Sequence, residues 1–281
     1  MTEFDIQYQS QNSYEESVSE AIFEFCIVPC NDHTQTLIDL NLTNSLGETP
    51  FSYKNAFGVE INRIRTVKEF KEFTFGLKSR IDKKTNDSLN YTYLTVASEK
   101  NIMTSNEFFI EHHLYLKKTQ YTSISHDNLK DIVAYKGDKH LYYFLLEVNN
   151  YIHSEFEYKK NATDVKTTAD QMFAIKAGVC QDFTHLLISI ARYNKIPARY
   201  VSGYLNQGKQ FVGDLLMHAW VEAFIPGVGW VGFDPTNNQL TDINYIKVSH
   251  GIDYNDCSPI KGILKTTGDN KTIYQVKVVE Q

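Results

Sequence analysis

Residues 178–197 read GVCQDFTHLLISIARYNKIP, a helix with a distinctive start. Phe183, Leu186, Leu187, Ile190 and Ala191 recur at helical spacing and form one apolar stripe. Pro197 lies just past the end, where a helix has to stop. Cys180 falls in the first turn, directly after Gly178 and Val179. Backbone N–H groups at that position have no partner inside the helix, and the dipole presents partial positive charge. Such a setting favours thiolate, the nucleophilic form of cysteine. An isolated cysteine is more commonly a small buried hydrophobe, so the helix start is what sets Cys180 apart.

Upstream, Thr168-Ala169-Asp170-Gln171 has the form of a capping box and predicts a short helix, which Gly178 is expected to end in the left-handed conformation. Before it, Leu141, Phe144, Leu145, Val148 and Ile152 mark the stripe of a longer helix. Downstream, 198–205 (ARYVSGYL), 218–225 (HAWVEAFI), 230–234 (WVGFD) and 272–279 (TIYQVKVV) read as strands. The region before about 125 also reads as strands: Phe23, Phe25 and Ile27 alternate, and so do Leu114 and Leu116. VKEFKEF at 67–73 is ambiguous. The expected architecture is α+β, with an all-β sandwich at 1–125 followed by an α+β domain at 126–281.

Composition narrows the function. The 281 residues carry a net charge of −6 with scattered basic residues, which argues against a nucleic-acid or anionic-membrane partner. No run of 18 apolar residues occurs, and MTEFDIQYQSQNSYEE lacks the basic and apolar parts of an export signal. A cytoplasmic protein is expected. The four cysteines (Cys26, Cys30, Cys180, Cys257) are too few for a disulfide scaffold and are expected as thiols. Cys26, Cys30 and His33 have metal-ligand residue types, but three ligands beside a strand make a poor zinc site, and no acidic loop suggests calcium. No cofactor is called for.

A nucleophilic cysteine needs a histidine base, held by a carboxylate or amide. Among nine histidines, His218 opens one strand and Asp234 closes the next, with Pro226-Gly227-Val228-Gly229 between them. A four-residue loop would pair Ile225 with Trp230 and send His218 and Asp234 to opposite faces. A five-residue loop pairs Phe224 with Trp230, sets Asp234 opposite Trp220, and makes His218 its diagonal neighbour on the same face. A bulge would serve equally. The sequence permits this His–Asp pair without requiring it.

GVCQDFTHLL (178–187), IPARYVSGYL (196–205), MHAWVEAFIPGVGWVGFDPTNN (217–238) and DYNDCSPIKG (253–262) resemble the bacterial transglutaminase-like family of cysteine enzymes. VSEA at 18–21, Gln35-Thr36 and Phe57-Gly58 resemble the β domain that accompanies those cores. The resemblance implies a papain-like core with a catalytic triad of Cys180, His218 and Asp234. It implies acyl transfer: attack by Cys180, protonation of the leaving amine by His218, and a thioester intermediate. The Cys180 backbone N–H is expected in the oxyanion hole, with Gln181, Trp220 or an upstream side chain as second donor; Trp220 and Tyr204 are candidates to line the cleft.

Water needs no binding site, so hydrolysis of a peptide or protein amide is favoured over transfer to an amine. The alternatives are a protein-glutamine transamidase and a catalytically silent peptide-binding scaffold. His185 lies about 140° around the helix from Cys180 and is read as a packing residue; Asp182 is read as favourable to the dipole alone.

Overall fold

The computed structural model describes residues 2–84, 94–125, 128, 134–206 and 216–281. Two four-stranded antiparallel sheets form a sandwich. One has the order β15 (Asn270–Glu280), β1 (Thr2–Val18), β6 (Phe70–Lys83), β3 (Gln35–Asn44). The other has the order β14 (Ile260–Lys265), β2 (Glu20–Phe25), β5 (Glu60–Thr66), β4 (Phe51–Lys54). Strict alternation along β1 turns Phe4, Ile6 and Tyr8 inward. Stacked rings join the sheets, with Phe23 on Phe73 at 4.4 Å and Phe25 on Phe75 at 3.7 Å between centroids. The ambiguous 67–73 segment leads into β6.

The second unit packs α3 (Leu141–Glu155) and α5 (Cys180–Tyr193) against a five-stranded antiparallel sheet, with α4 (Ala169–Ile175) lying on α5. Its order is β12 (Gln239–Leu240), β11 (Gly229–Asp234), β10 (His218–Ile225), β9 (Ala198–Leu205), β13 (Tyr245–Gly251). Leu186, Leu187 and Ile190 of α5 meet Ala219, Val221, Ala223 and Ile225 of β10 in one core. Each fully buried aliphatic side chain there contributes about 1.5–3 kcal/mol. The Thr168 capping box forms as expected, its hydroxyl accepting from Gln171 N while Gln171 returns to the Thr168 backbone.

Three expectations change. First, 94–116 is not strand: α1 (Val96–Met103) and α2 (Asn106–Leu116) occupy it, capped by Thr95 and Ser105 side chains. Phe109, Ile110 and Leu114 stay exposed on α2, so no clean apolar stripe betrays the helix. Second, the blocks 1–125 and 126–281 are interleaved. The last two strands return to the sandwich, β15 pairing with β1 from Phe4↔Glu280 to Tyr14↔Asn270 and β14 pairing with β2. Third, the left-handed residue after α4 is Lys176 (φ 59°), not Gly178. Gly178 lies in the two-residue strand β8 (Ala177–Gly178), paired with β7 (Glu157–Tyr158). There a Cβ would fall 2.8 Å from the Asp182 side chain, so close approach is what requires glycine.

The two units share buried surface. Tyr204, Ile246 and Val248 of the core sheet join the sandwich's apolar cluster. Gln35 clamps the backbone of Lys247, donating to its carbonyl at 2.7 Å and accepting from its N–H at 2.9 Å. Among the described residues no helix is long and apolar enough to cross a membrane.

Candidate active site

Cys180 is the first residue of α5 and is partly buried. The N-terminus of α5 is built around Asp182 at the third helical position. Its carboxylate accepts from Val179 N at 2.8 Å and from the Thr163 hydroxyl at 2.7 Å, which fixes the turn that presents the sulfur. Burial raises the Asp182 pKa against those hydrogen bonds. Asp182 is therefore a structural anchor as well as a favourable charge at the dipole's positive end.

The β10–β11 hairpin adopts the register that brings the pair together: Phe224↔Trp230 and Val221↔Phe233, with Ile225 also paired to Gly229. His218 and Asp234 consequently share a face, and His218 Nε2 meets Asp234 Oδ2 at 2.7 Å. Both side chains are fully buried. The other ring nitrogen, Nδ1, is buried and lacks a hydrogen bond of full geometry, and Cys180 stands near enough to raise the ring's proton affinity by contact and charge. Burial opposes a charged imidazole, but the Asp234 charge and hydrogen bond together with Cys180 outweigh it and lift the His218 pKa to about 10. Asp234 is lowered despite its burial, through His218, Tyr245 and Asn237. Cys180, His218 and Asp234 thus form one contiguous set.

Sequence reasoning missed how Asp234 is held. Oδ1 accepts from the backbone N–H of Thr236 at 2.9 Å and of Asn237 at 3.2 Å. Oδ2 accepts, besides His218, from Asn237 Nδ2 at 2.8 Å and the Tyr245 hydroxyl at 2.7 Å. The Tyr245 hydroxyl itself accepts from Gln239 Nε2 at 2.5 Å. The Asn237 of the PTNN turn was visible in the sequence; Tyr245 reaches Asp234 only because β13 pairs with β9 two strands away.

The secondary candidates separate. Tyr204 does not line a cleft: it faces the sandwich, fully buried, and donates to Ile27 O at 2.6 Å. Trp220 is 2% exposed, packed edge-on against Tyr245 at 5.3 Å and so close over Gly203 that a Cβ there would lie 2.5 Å from its ring. It backs the His218–Asp234 pair as core and lines a cavity of about 90 Å³ that also touches Lys83, Glu222 and Lys247 but neither Cys180 nor His218. Gln181 donates its amide to Val165 O at 3.2 Å, a bond it would have to give up to serve an oxyanion. The Cys180 N–H, at the first position of α5, has no helical acceptor to claim it.

His185 is a packing residue. It stacks on Tyr121 at 5.2 Å, accepts from Tyr254 N at 3.3 Å, and is held neutral by burial and the Arg192 charge, with its pKa near 3. Cys26 is buried in the sandwich, the Cys30 thiol faces Asp32 and His33 is exposed. Among the described residues no three His, Cys, Asp or Glu side chains are placed to hold a metal.

A thiol at a helix start, an imidazole against it and a buried carboxylate behind are brought together where an α-helix packs on an antiparallel sheet. Residues 130–235 match the family model of the transglutaminase-like superfamily. An uncharacterised protein of Mycobacterium tuberculosis (strain H37Rv) is 38% identical over 138 residues, 46% of this chain and 44% of that protein. The protein-glutamine gamma-glutamyltransferase of Pseudomonas aeruginosa is 34% identical over 92 residues, 30% of this chain and 14% of that one. The chain spans less than half the length of these curated relatives. A crystal structure from Cytophaga hutchinsonii, described provisionally as a cysteine protease, superposes with a TM-score of 0.76 over 99% of this chain and 90% of its own. At 22% identity that likeness shows a shared fold, sandwich included.

Proposed function

We propose that the protein is a cysteine-dependent amide hydrolase acting on peptide or protein substrates. The Cys180 thiolate adds to the amide carbonyl, and the developing oxyanion is met by the Cys180 backbone N–H at the start of α5. The C–N bond then breaks as His218, charged through Asp234, gives its proton to the departing amine, leaving a thioester on Cys180. Water adds to the thioester while His218 takes its proton. The Cys180 thiolate departs and a carboxylic acid is released. Asp234 keeps the ring oriented and favours its charged form throughout.

The observation that carries this reading is the 2.7 Å His218–Asp234 hydrogen bond between two fully buried groups, with the thiol at the free side of the ring. Burying a charged pair is costly, and a purely structural role would be served as well by apolar residues. Similarity to the Pseudomonas protein-glutamine gamma-glutamyltransferase supports a second reading, transfer of the acyl group to an amine. A peptide amide incubated with and without millimolar primary amine separates the two. Acid product at every amine concentration, absent in Cys180→Ser, supports hydrolysis; a dominant conjugate would establish transfer instead. No turnover of either kind, with Cys180 no more reactive than an ordinary thiol, would leave the silent scaffold.

A further inference from the structure

The cavity of about 90 Å³ behind Trp220 lies where the two units meet. Trp220 and Glu222 alternate along β10 with Ala219, Val221 and Ala223, which pack on α5, and so project from the opposite face of the core sheet. Arg199 of β9 and Lys247 of β13 line the same space. The sandwich contributes Lys83, the last residue of β6, and Thr34 just before β3. Four rings, those of Tyr142, Trp220, Trp230 and Tyr245, make much of the lining apolar.

One charge at this cavity lacks a contact partner. Glu222 Oε2 already serves two cations, accepting from Arg199 Nε at 2.6 Å and from Lys247 Nζ at 2.7 Å. Lys83 is 6% exposed, and its Nζ donates only to neutral oxygens, Thr34 Oγ1 and Gln35 Oε1, each at 3.2 Å. Among the described residues no carboxylate is in ion-pair contact with it. The other carboxylates of the lining are engaged elsewhere. Asp32 Oδ1 accepts from Thr34 N at 2.7 Å, the Thr34 hydroxyl at 2.8 Å and Gln35 N at 3.1 Å. Asp242 is exposed and accepts from Asn244 N at 2.8 Å and Asn244 Nδ2 at 3.1 Å. His33, also on the lining, is exposed. Nor do the neutral partners need Lys83: the Thr34 hydroxyl is held by Asp32, and Gln35 Oε1 accepts from Lys247 N at 2.9 Å. Burial lowers the Lys83 pKa, opposed by the charges of Asp32 and Glu222. A buried ammonium so placed is one counter-charge short.

We propose that this cavity is a binding site for a small organic monocarboxylate, whose carboxylate pairs with Lys83 and whose apolar body lies among the rings of Trp220, Trp230 and Tyr142. Three features select that occupant. A single cation is left unpaired, which calls for one negative charge; a dianion such as phosphate would face Glu222 as well. The volume has room for roughly half a dozen waters, more than a lone halide fills and about that of a ligand of seven non-hydrogen atoms. The rings give such a ligand an apolar surface that a bare ion cannot use. The bound acid would join the sandwich, through Lys83, to the core sheet, through the tryptophans. The cavity touches neither Cys180 nor His218, so the site stands or falls independently of the proposed hydrolysis.

The chain's two tryptophans, Trp220 and Trp230, both line the cavity, so intrinsic tryptophan emission reports its occupancy. The full-length protein is titrated in chloride-free buffer with 3-methylbutanoate, with the isosteric neutral 3-methylbutanamide and with sodium chloride, and melting temperature is followed in parallel. The expected result is a saturable emission change and a raised melting temperature with the acid at millimolar concentration. The amide and chloride should each bind at least tenfold more weakly, as loss of a charge-assisted bond or of the apolar body requires. Lys83→Met keeps an apolar stem of similar length and should erase the preference for acid over amide. Equal affinity for acid and amide in the wild-type protein overturns the site, a comparison that needs no variant to fold. Chloride binding as tightly as the acid, an unchanged preference in Lys83→Met, or no saturable response to the acid in either readout overturns it as well.

Discussion

Replacing Tyr245 by phenylalanine removes one oxygen from a buried site and leaves the ring that packs against Trp220. The hydroxyl donates to Asp234 Oδ2 at 2.7 Å, and Tyr245 is 1% exposed, so water cannot take its place. A hydrogen bond to a charged acceptor contributes about 1.5–3 kcal/mol, and the bond that Gln239 Nε2 donates to that hydroxyl is lost with it. At about 2–4 °C per kcal/mol for a chain of this size, the melting temperature should fall by roughly 4–10 °C. Catalysis should suffer less than stability, because Asp234 keeps four donors: His218, the Asn237 side chain and the N–H groups of Thr236 and Asn237.

A loss of up to about tenfold in kcat/KM corresponds to about 1.4 kcal/mol of weakened hold on the charged imidazole. Removing a donor also moves the Asp234 pKa upward, so the acid limb of the rate profile should shift to higher pH, a change that a merely structural defect would not produce. Differential scanning calorimetry and a pH–rate profile measure both effects. An unchanged melting temperature with an unchanged acid limb would refute the assignment of Tyr245 as a positioning residue for Asp234.

Other expectations follow from the same geometry. Because the His218 pKa is raised from its ordinary value near 6.5 to about 10, its bound proton stabilises the fold fully below about pH 6.5, and that contribution is lost as pH rises through 10; the stability gap between wild type and His218→Gln should therefore narrow over this window in urea titrations. Gly178→Ala places a methyl 2.8 Å from Asp182 and should cost about 1–3 kcal/mol by denaturant titration, slowing Cys180 alkylation as the helix start shifts. Glu99, fully buried, accepts from Leu141 N at 3.1 Å and sits 3.3 Å from His140 Nδ1, capping α3 from another helix; Glu99→Ala should destabilise by about 1–3 kcal/mol without altering the pH dependence of Cys180 labelling.

What the sequence made legible was local. The Thr168 box, the stripe of α5 and the placement of Cys180 at its start depend on contacts within a few residues, and all appear at those positions. The hairpin register was narrowed to a choice because loop length and face alternation constrain each other, and the observed Phe224↔Trp230 pairing is one of the two. What stayed hidden depended on partners distant in the chain. Nothing in 270–280 announces that Glu280 will lie beside Phe4, and so the interleaving of the two units could not be read. Tyr245 was missed for the same reason. The helices at 96–116 were hidden differently: Phe109 and Ile110 point to solvent and blur the period that would have marked them.

The second-order rate of iodoacetamide alkylation at each cysteine, near neutral pH, bears most directly on the candidate site. Burial raises the Cys26 pKa to about 11, the Cys30 pKa to about 12 and the Cys257 pKa well above its ordinary value, which leaves all three slow. Cys180 should react at least a hundredfold faster than these, and His218→Ala should remove most of that advantage. Equal labelling of Cys180 in wild type and His218→Ala, at the rate of an ordinary thiol, would contradict the account.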